Sequence, residues 1–377
     1  MTPKLKVADV LNLEKKHIDE ICQNSWKSRA LHAIRKCRTA ELGGHIDKCD
    51  SCNKIHISYN SCRNRNCPTC QGHKIEQWIQ AREQELLSVP YFHLVFTIPD
   101  SLNEICFKYP KITYAIIFKA AWETLKQFSE NNKHLGAKMG MIAVLHTWGQ
   151  NLSLHPHLHC IVPGGGVTND NNWRNAKNKG KYLFNIKAMS KVFRAKFVAE
   201  LRKQIPNISQ SVYDKLFDKQ WVVFAKRTCI NPKSIIEYLG RYTHKIAISN
   251  YRILKIDKQK RTVTFSLKDY RKNGEKTTLT LETEIFIKRF SLHILPKGFT
   301  KIRHYGILSS SWKKEKLPKL QSKLSGKKTK TKKQVINTKH RKCRCCKSGI
   351  LVTLFTFNKR GPPVDYKQII ENLENVL

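Results

Sequence analysis

Acidic residues are scarce in this chain. Only 28 Asp and Glu stand against 70 Lys and Arg over 377 residues, leaving a net charge of +42 with neutral histidine. Self-repulsion on that scale is relieved by a polyanion, and nucleic acid or an anionic membrane surface are the two candidates. Long apolar runs are also missing: nothing approaches the roughly 20 residues that a spanning helix needs. Residues 1–20 are charged throughout with no signal-peptide core. These absences disfavour the membrane and lead to the expectation of a cytoplasmic chain whose partner is nucleic acid. A GxxxxGK[ST] phosphate loop is absent as well, because Gly326-Lys327 lacks the upstream glycine, so no nucleotide cofactor is expected. A reducing compartment argues against a disulfide framework for the 13 cysteines and turns the clustered ones toward metal ligation.

What is present centres on His155, His157 and His159. Pro156 disfavours helix before it, and Ile161 and Val162 followed by Gly164 read as the end of a strand. Period two then places His157 and His159 on one face, with His155 in the same parity, while Leu158, Cys160 and Val162 face a core. Two imidazoles one pleat apart can chelate a divalent ion, against the alternative of tolerated polar positions. His146 and Gln150 are close along the chain and are candidates for a third ligand.

Cys49 and Cys52 form one CxxC knuckle, Cys67 and Cys70 another, with a short hairpin between them over residues 55–59. Two such turns brought together close a tetrahedral zinc site, and that is the expected pairing. Cys37, His45, Cys62 and His73 are surplus to it and leave room for a second metal. Arg63 and Arg65, held between ligands, suit phosphate contact or simple solvation equally. Cys22, Cys106, Cys160 and Cys229 sit alone and read as small packed hydrophobes.

Helical patterns cover residues 1–36, 74–87, 101–135 and 185–205. Strands are expected at 91–99 and 140–148, and a meander at 246–255, 261–268 and 277–287 with a turn at Asn273-Gly274. Between these lies a helix started by Asn231 and Pro232, on which Tyr238 and Tyr242 share a face, followed by Arg241 and Lys245 one turn on. Two such tyrosines read as packing or, beside cations and a metal-binding strand, as nucleophiles. Residues 311–347 hold 13 Lys and 2 Arg against Glu315 alone, which implies a poorly ordered basic arm along a phosphate backbone. Within it Cys343, Cys345 and Cys346 are candidates for part of a further zinc knuckle.

These residues make the chain resemble transposases of the insertion sequence 91 family, members of the HUH (His-hydrophobic-His) group. The motifs are CRTAELGGH (37–45), YNSCRNRNCPTCQ (59–71), FTIP (96–99), LHTWGQNLSLHPHLHCIVPGGG (145–166), YLGRYTHKIAISNYR (238–252) and KIRHYGIL (301–308). The C-terminal cysteines depart from the family's terminal knuckle.

The resemblance implies an α+β fold: a zinc-ribbon-like module over 1–88, an HUH domain with an antiparallel sheet flanked by helices over 89–295, and a basic DNA-binding region over 296–377. It implies that His157 and His159 hold catalytic Mg2+ or Mn2+, beside structural Zn2+. Tyr238 and Tyr242 become the two-tyrosine pair and Lys245 the lysine of a Tyr-x-x-Lys motif. Arg63, Arg65 and Arg241 would meet DNA. The implied activity is nicking and joining of single-stranded DNA through a 5′-phosphotyrosine. A plasmid replication initiator and a non-catalytic zinc-ribbon regulator are the competing readings.

Overall fold

The computed structural model describes residues 5–70, 78–79, 81–180, 182–227, 246–269, 274–325, 341–362, 365–366 and 368. Three short helices, α1 (Val7–Leu13), α2 (Ile18–Ile21) and α3 (Ser25–Arg35), open the chain, and the Asn24 side chain caps α3 by accepting from the Lys27 N–H. The hairpin β1 (Gly44–Cys49) and β2 (Ile55–Tyr59) follows, then β3 (Tyr91–Thr97), α4 (Asn103–Lys108) and α5 (Pro110–Glu130). Pro110 stands in the first turn of α5, where its fixed φ suits a helix start. Next come β4 (Gly140–Trp148), β5 (Leu154–Pro163), β6 (Gly165–Val167), β7 (Trp173–Asn175), α6 (Lys177–Gly180), α7 (Ile186–Gln204) and α8 (Gln210–Asp218). The remainder is β8 (Val223–Arg227), β9 (Ile253–Asp257), β10 (Thr262–Asp269), β11 (Glu275–Glu282), α9 (Thr283–Leu292), β12 (Ile302–Gly306), α10 (Ser310–Ser325) and β13 (Leu351–Phe357).

The fold mixes helices with antiparallel sheets and divides into two compact units. One comprises Met1–Gln77, Ile248–Ile294 and Gln334–Leu377, the other Trp78–Ala247 and Leu295–Lys333. This division crosses the expected bounds of 1–88, 89–295 and 296–377, because strands distant in the chain complete each sheet. In the first unit β13 pairs with β1 in the order β13-β1-β2; in the second β12 pairs with β4 in the order β12-β4-β5-β3-β8.

Three expectations are corrected. Strand 277–287 ends at Glu282, where Phe286, Ile287 and Phe290 begin an apolar stripe of helical spacing, each at most 2% exposed. Strand 246–255 starts only at Ile253, after a tight turn over Asn250–Arg252. The described start of the basic arm is the helix α10, since Leu317 and Leu320 are buried within the second unit and Trp312 and Leu324 pack with them.

In the first unit Glu14 is fully buried and accepts hydrogen bonds from Arg261 and Thr283, with Arg261 Nε at 3.1 Å. Burial alone would raise its pKa, but those bonds and the Arg261 charge outweigh it and hold the carboxyl below its ordinary range.

In the second unit the period-two alternation of the sheet decides which side chains are core. Leu158, Cys160 and Val162 of β5 join Leu94, Phe96, Ala143 and Leu145 on one face, packed with Phe118, Ala121 and Leu125 of α5 and Phe193, Phe197 and Leu201 of α7. Phe193 sits with its ring 5.0 Å from Phe96 and 5.5 Å from Trp221. The opposite face carries the histidines. Part of it is closed by a smaller cluster of Leu87, Ile142, Ile161, Ile307, Leu317 and Leu320.

Two outcomes are expected. Phe193→Ala leaves a cavity behind the histidine strand and costs about 3–5 kcal/mol, seen as a lower urea midpoint in tryptophan fluorescence. Because Glu14 ionises more readily folded than unfolded, the unfolded chain takes up the proton first. Its stability contribution is therefore complete above pH 4.5 and is lost as pH falls from there through the folded value. Glu14→Gln should flatten that acid-side slope in pH-dependent melts.

Candidate metal centres

The histidine face is built by register. β4 and β5 run antiparallel with His146 directly opposite His157 and Val144 opposite His159, so three imidazoles project from one side of two adjacent strands. Ring centroids are 5.5 Å apart for His146 and His157, 5.0 Å for His157 and His159, and 4.5 Å for His146 and His159. One nitrogen of each lies within 4.8 Å of the other two. His146 is only 2% exposed, whereas His157 and His159 are half-buried.

Neighbouring groups orient two of the rings. His157 Nδ1 donates to the His155 carbonyl at 2.7 Å, which makes Nε2 the ring's lone-pair nitrogen. His159 Nδ1 lies 2.8 Å from His93 Nε2, with the two rings stacked 6° from parallel. Burial pushes the His93 pKa down to about 4, so His93 is neutral above that pH. A neutral His93 that accepts the His159 Nδ1–H leaves His159 Nε2 for an ion, matching His157. Trp148 stacks on His146 at 4.5 Å.

Of the third-ligand candidates, the structure brings His146 into the group. His155 is exposed and contributes its carbonyl, and Gln150 sits in the turn closed by Gly149 N–H to the Ser153 carbonyl. Tyr238, Arg241, Tyr242 and Lys245 lie outside the described residues. His93 was not anticipated. It stands on β3, whose Val95 opposes His159, but His93 and His159 are 66 positions apart and only the strand order joins them.

The cysteines gather differently from the expected single site. Cys67 and Cys70 join Cys37 and Cys62, while Cys49 and Cys52 join Cys343 and Cys346. The reason is the hairpin itself. β2 begins opposite Lys48 and ends opposite Gly44, so its five residues carry the chain about 17 Å away from the first knuckle. At that far end Cys37 precedes β1 and Cys62 follows β2, tied by a bond from Arg38 N–H to the Asn60 carbonyl.

In the first group Cys70 Sγ lies 3.3 Å from Cys37 Sγ and 3.6 Å from Cys62 Sγ. Thiolates bound tetrahedrally at 2.3 Å to zinc stand about 3.8 Å apart, so this donor set fits the metal. His45 instead pairs with Asp47 at 3.2 Å, and His73 lies outside the described residues. Arg63 is exposed and Arg65 half-buried in the loop between Cys62 and Cys67. Cys22, Cys106 and Cys160 are buried as small hydrophobes, at 6%, 0% and 0% exposure; Cys229 lies outside the described residues.

One unit carries a four-cysteine group and the other a sheet that displays three imidazoles, and the sequence has known relatives. A family model described as "Transposase zinc-binding domain" matches residues 12–98, and one described as "Putative transposase" matches residues 140–316. "Putative transposase y4qJ" of Sinorhizobium fredii (strain NBRC 101917 / NGR234) is 38% identical over 364 residues, covering 89% of this chain and 91% of its own. "Transposase for insertion sequence element IS801" of Pseudomonas savastanoi pv. phaseolicola is 28% identical over 302 residues, covering 75% and 70% respectively. No solved structure matches. The class is that of a transposase, a DNA-processing enzyme with a zinc-binding domain. The chain belongs to the insertion sequence 91 family of transposases. Among the described residues no helix is long and apolar enough to cross a membrane.

His93→Phe keeps a ring in the stack and removes the acceptor for His159. Manganese affinity at the three-histidine group should then fall about 10–100-fold in a calorimetric titration; an unchanged constant would show that His93 does not orient its neighbour.

Proposed function

We propose that this transposase nicks and joins single-stranded DNA by transesterification at the histidine face, with Tyr238 and Tyr242 as nucleophiles. The observation that carries the reading is the convergence of His146, His157 and His159, with their nitrogens within 4.8 Å of one another. Three imidazoles suit Mn2+ and other first-row ions better than Mg2+, which prefers oxygen donors. When bound there, such an ion supplies Lewis acidity to a phosphate oxygen.

The chain's own groups do the rest. A tyrosine hydroxyl attacks the phosphorus as it gives up its proton, a new tyrosine O–P bond forms, and the bond from phosphorus to the 3′ oxygen breaks. The phenol proton passes to that leaving oxygen, giving a 3′-hydroxyl and a 5′-phosphotyrosine. The reverse exchange on a new 3′-hydroxyl rejoins strands, and ester replaces ester, so no nucleotide is consumed. Two tyrosines allow two transfers without release of either end. Lys245 would steady the phosphate charge. Arg63, Arg65 and Arg241 would grip the backbone, consistent with the net charge of +42.

Purified protein given Mn2+ and a single-stranded oligonucleotide should form an adduct that survives a denaturing gel. The double change Tyr238→Phe and Tyr242→Phe should abolish the adduct and leave DNA binding intact. Adduct retained by that variant would remove the tyrosines from the mechanism, and no adduct from the wild type would favour a regulator that only binds DNA.

A further inference from the structure

The two matching family models span residues 12–98 and 140–316, so neither takes in Cys343 or Cys346. We infer that Cys49, Cys52, Cys343 and Cys346 form a second four-thiolate zinc centre, which makes the C-terminal strand β13 a working part of the N-terminal zinc module. Their four sulfurs lie within 4.8 Å of one another, with Cys49 Sγ 3.6 Å from Cys346 Sγ and Cys52 Sγ 3.6 Å from Cys343 Sγ. Those spacings are close to the roughly 3.8 Å that tetrahedral zinc requires.

The two halves are built alike although they come from opposite ends of the chain. In each, the residue after the second cysteine, Asn53 or Lys347, donates its N–H to the carbonyl of the first cysteine at 3.1 Å. Asn53 and Lys347 both take positive φ, 56° and 61°, a conformation uncommon for side-chain-bearing residues. The shared turn aims both thiols of each CxxC at one point.

Backbone amides favour the thiolate forms. Cys345 N–H points at Cys343 Sγ and Gly349 N–H at Cys346 Sγ, each at 3.3 Å. His56 Nε2 lies 3.4 Å from Cys343 Sγ and can donate a third such bond. On metal binding four Zn–S bonds replace four S–H bonds, and the protons pass to solvent.

Strand pairing brings the halves together. β13 runs antiparallel to β1 with Leu351 opposite Cys49, and beside it Asp50 N–H donates to the Ile350 carbonyl at 3.0 Å. The approach is as close as the chain permits, since a Cβ on Gly349 would stand 2.4 Å from Cys49 Sγ and 2.7 Å from Ser51 Oγ. Cys52 and Cys343 are 291 positions apart, so the centre clips a long loop, the kind of closure from which a cross-link contributes most.

The full-length protein, refolded or exchanged with Co2+, should take up two equivalents that give thiolate-to-metal absorption, a signal that an ion on the histidine face does not produce. Cys343→Ser with Cys346→Ser should halve that absorption and lower the zinc content by one per chain. Gly349→Ala keeps every thiol and should lower affinity at one of the two equivalents by at least tenfold. One equivalent in the wild type, or two retained in the double serine variant, would overturn the inference. Should the double variant fail to fold, the wild-type count and the Gly349→Ala titration decide it alone.

Discussion

The antiparallel register between β4 and β5 is the constraint on which the rest of this protein depends. A strand alternates its side chains, so one setting sends Leu158, Cys160 and Val162 into the core and His157 and His159 to the opposite face. A slip by one residue would bury both imidazoles and expose three apolar side chains. The large core of α5 and α7 behind the sheet therefore fixes the chemical face without touching it. His146 arrives by the same rule, as the partner of His157 across the ladder, and His93 from the other side through β3. Packing energy on one face becomes positional accuracy on the other.

The first unit solves a different problem. Its sheet β13-β1-β2 is small, and among the described residues its buried cluster is Ile46 and Phe357 with Leu354, Phe355 and Tyr366 packed against them, so apolar burial gives that sheet little. Clustered thiols at both ends of β1 fill that role. Cys37, Cys62, Cys67 and Cys70 gather at the end where the strand begins, and Cys49 and Cys52 mark the end where it stops. A hairpin with ligand groups at both ends is held at two points, which suits a sheet too thin to hold itself.

Much of this was legible in the sequence, and the gaps have physical reasons. The parity of the histidine strand, the helix at Ile186–Gln204 and strand Gly140–Trp148 follow from local periodicity, which needs no knowledge of partners. The family resemblance rests on the same local stretches. What local pattern does not contain is pairing between distant segments. Nearness in sequence pairs Cys49 and Cys52 with Cys67 and Cys70. A hairpin, however, returns the chain to the other end of its first strand, so nearness along the chain meant separation in space. His93 is the same case on the second sheet. Charge masked the third: the lysines of α10 dominate its composition, and the stripe of Trp312, Leu317, Leu320 and Leu324 beneath them is only four residues in sixteen.

The scarcity of acid, which first suggested a polyanion, has a structural counterpart. Several of the few carboxylates are spent on internal bonds: Glu14 on Arg261 and Thr283, Glu85 on Arg82 and Lys313, Glu200 on Lys119, and Glu41 on Arg35 and Lys36. Each such pair neutralises one acid with one base, so the excess of +42 rests on the remaining lysines and arginines. On α10, Lys313 is turned inward to Glu85, while Lys316, Lys319 and Lys323 line one hollow of about 300 Å³ with Trp312 and Asn171. Cations left in excess in this way hold mobile counterions, and a phosphate backbone that displaces them gains the entropy of their release. The composition thus commits the acids to the fold and the bases to DNA, and affinity for the substrate should follow the salt concentration more steeply than it follows base sequence.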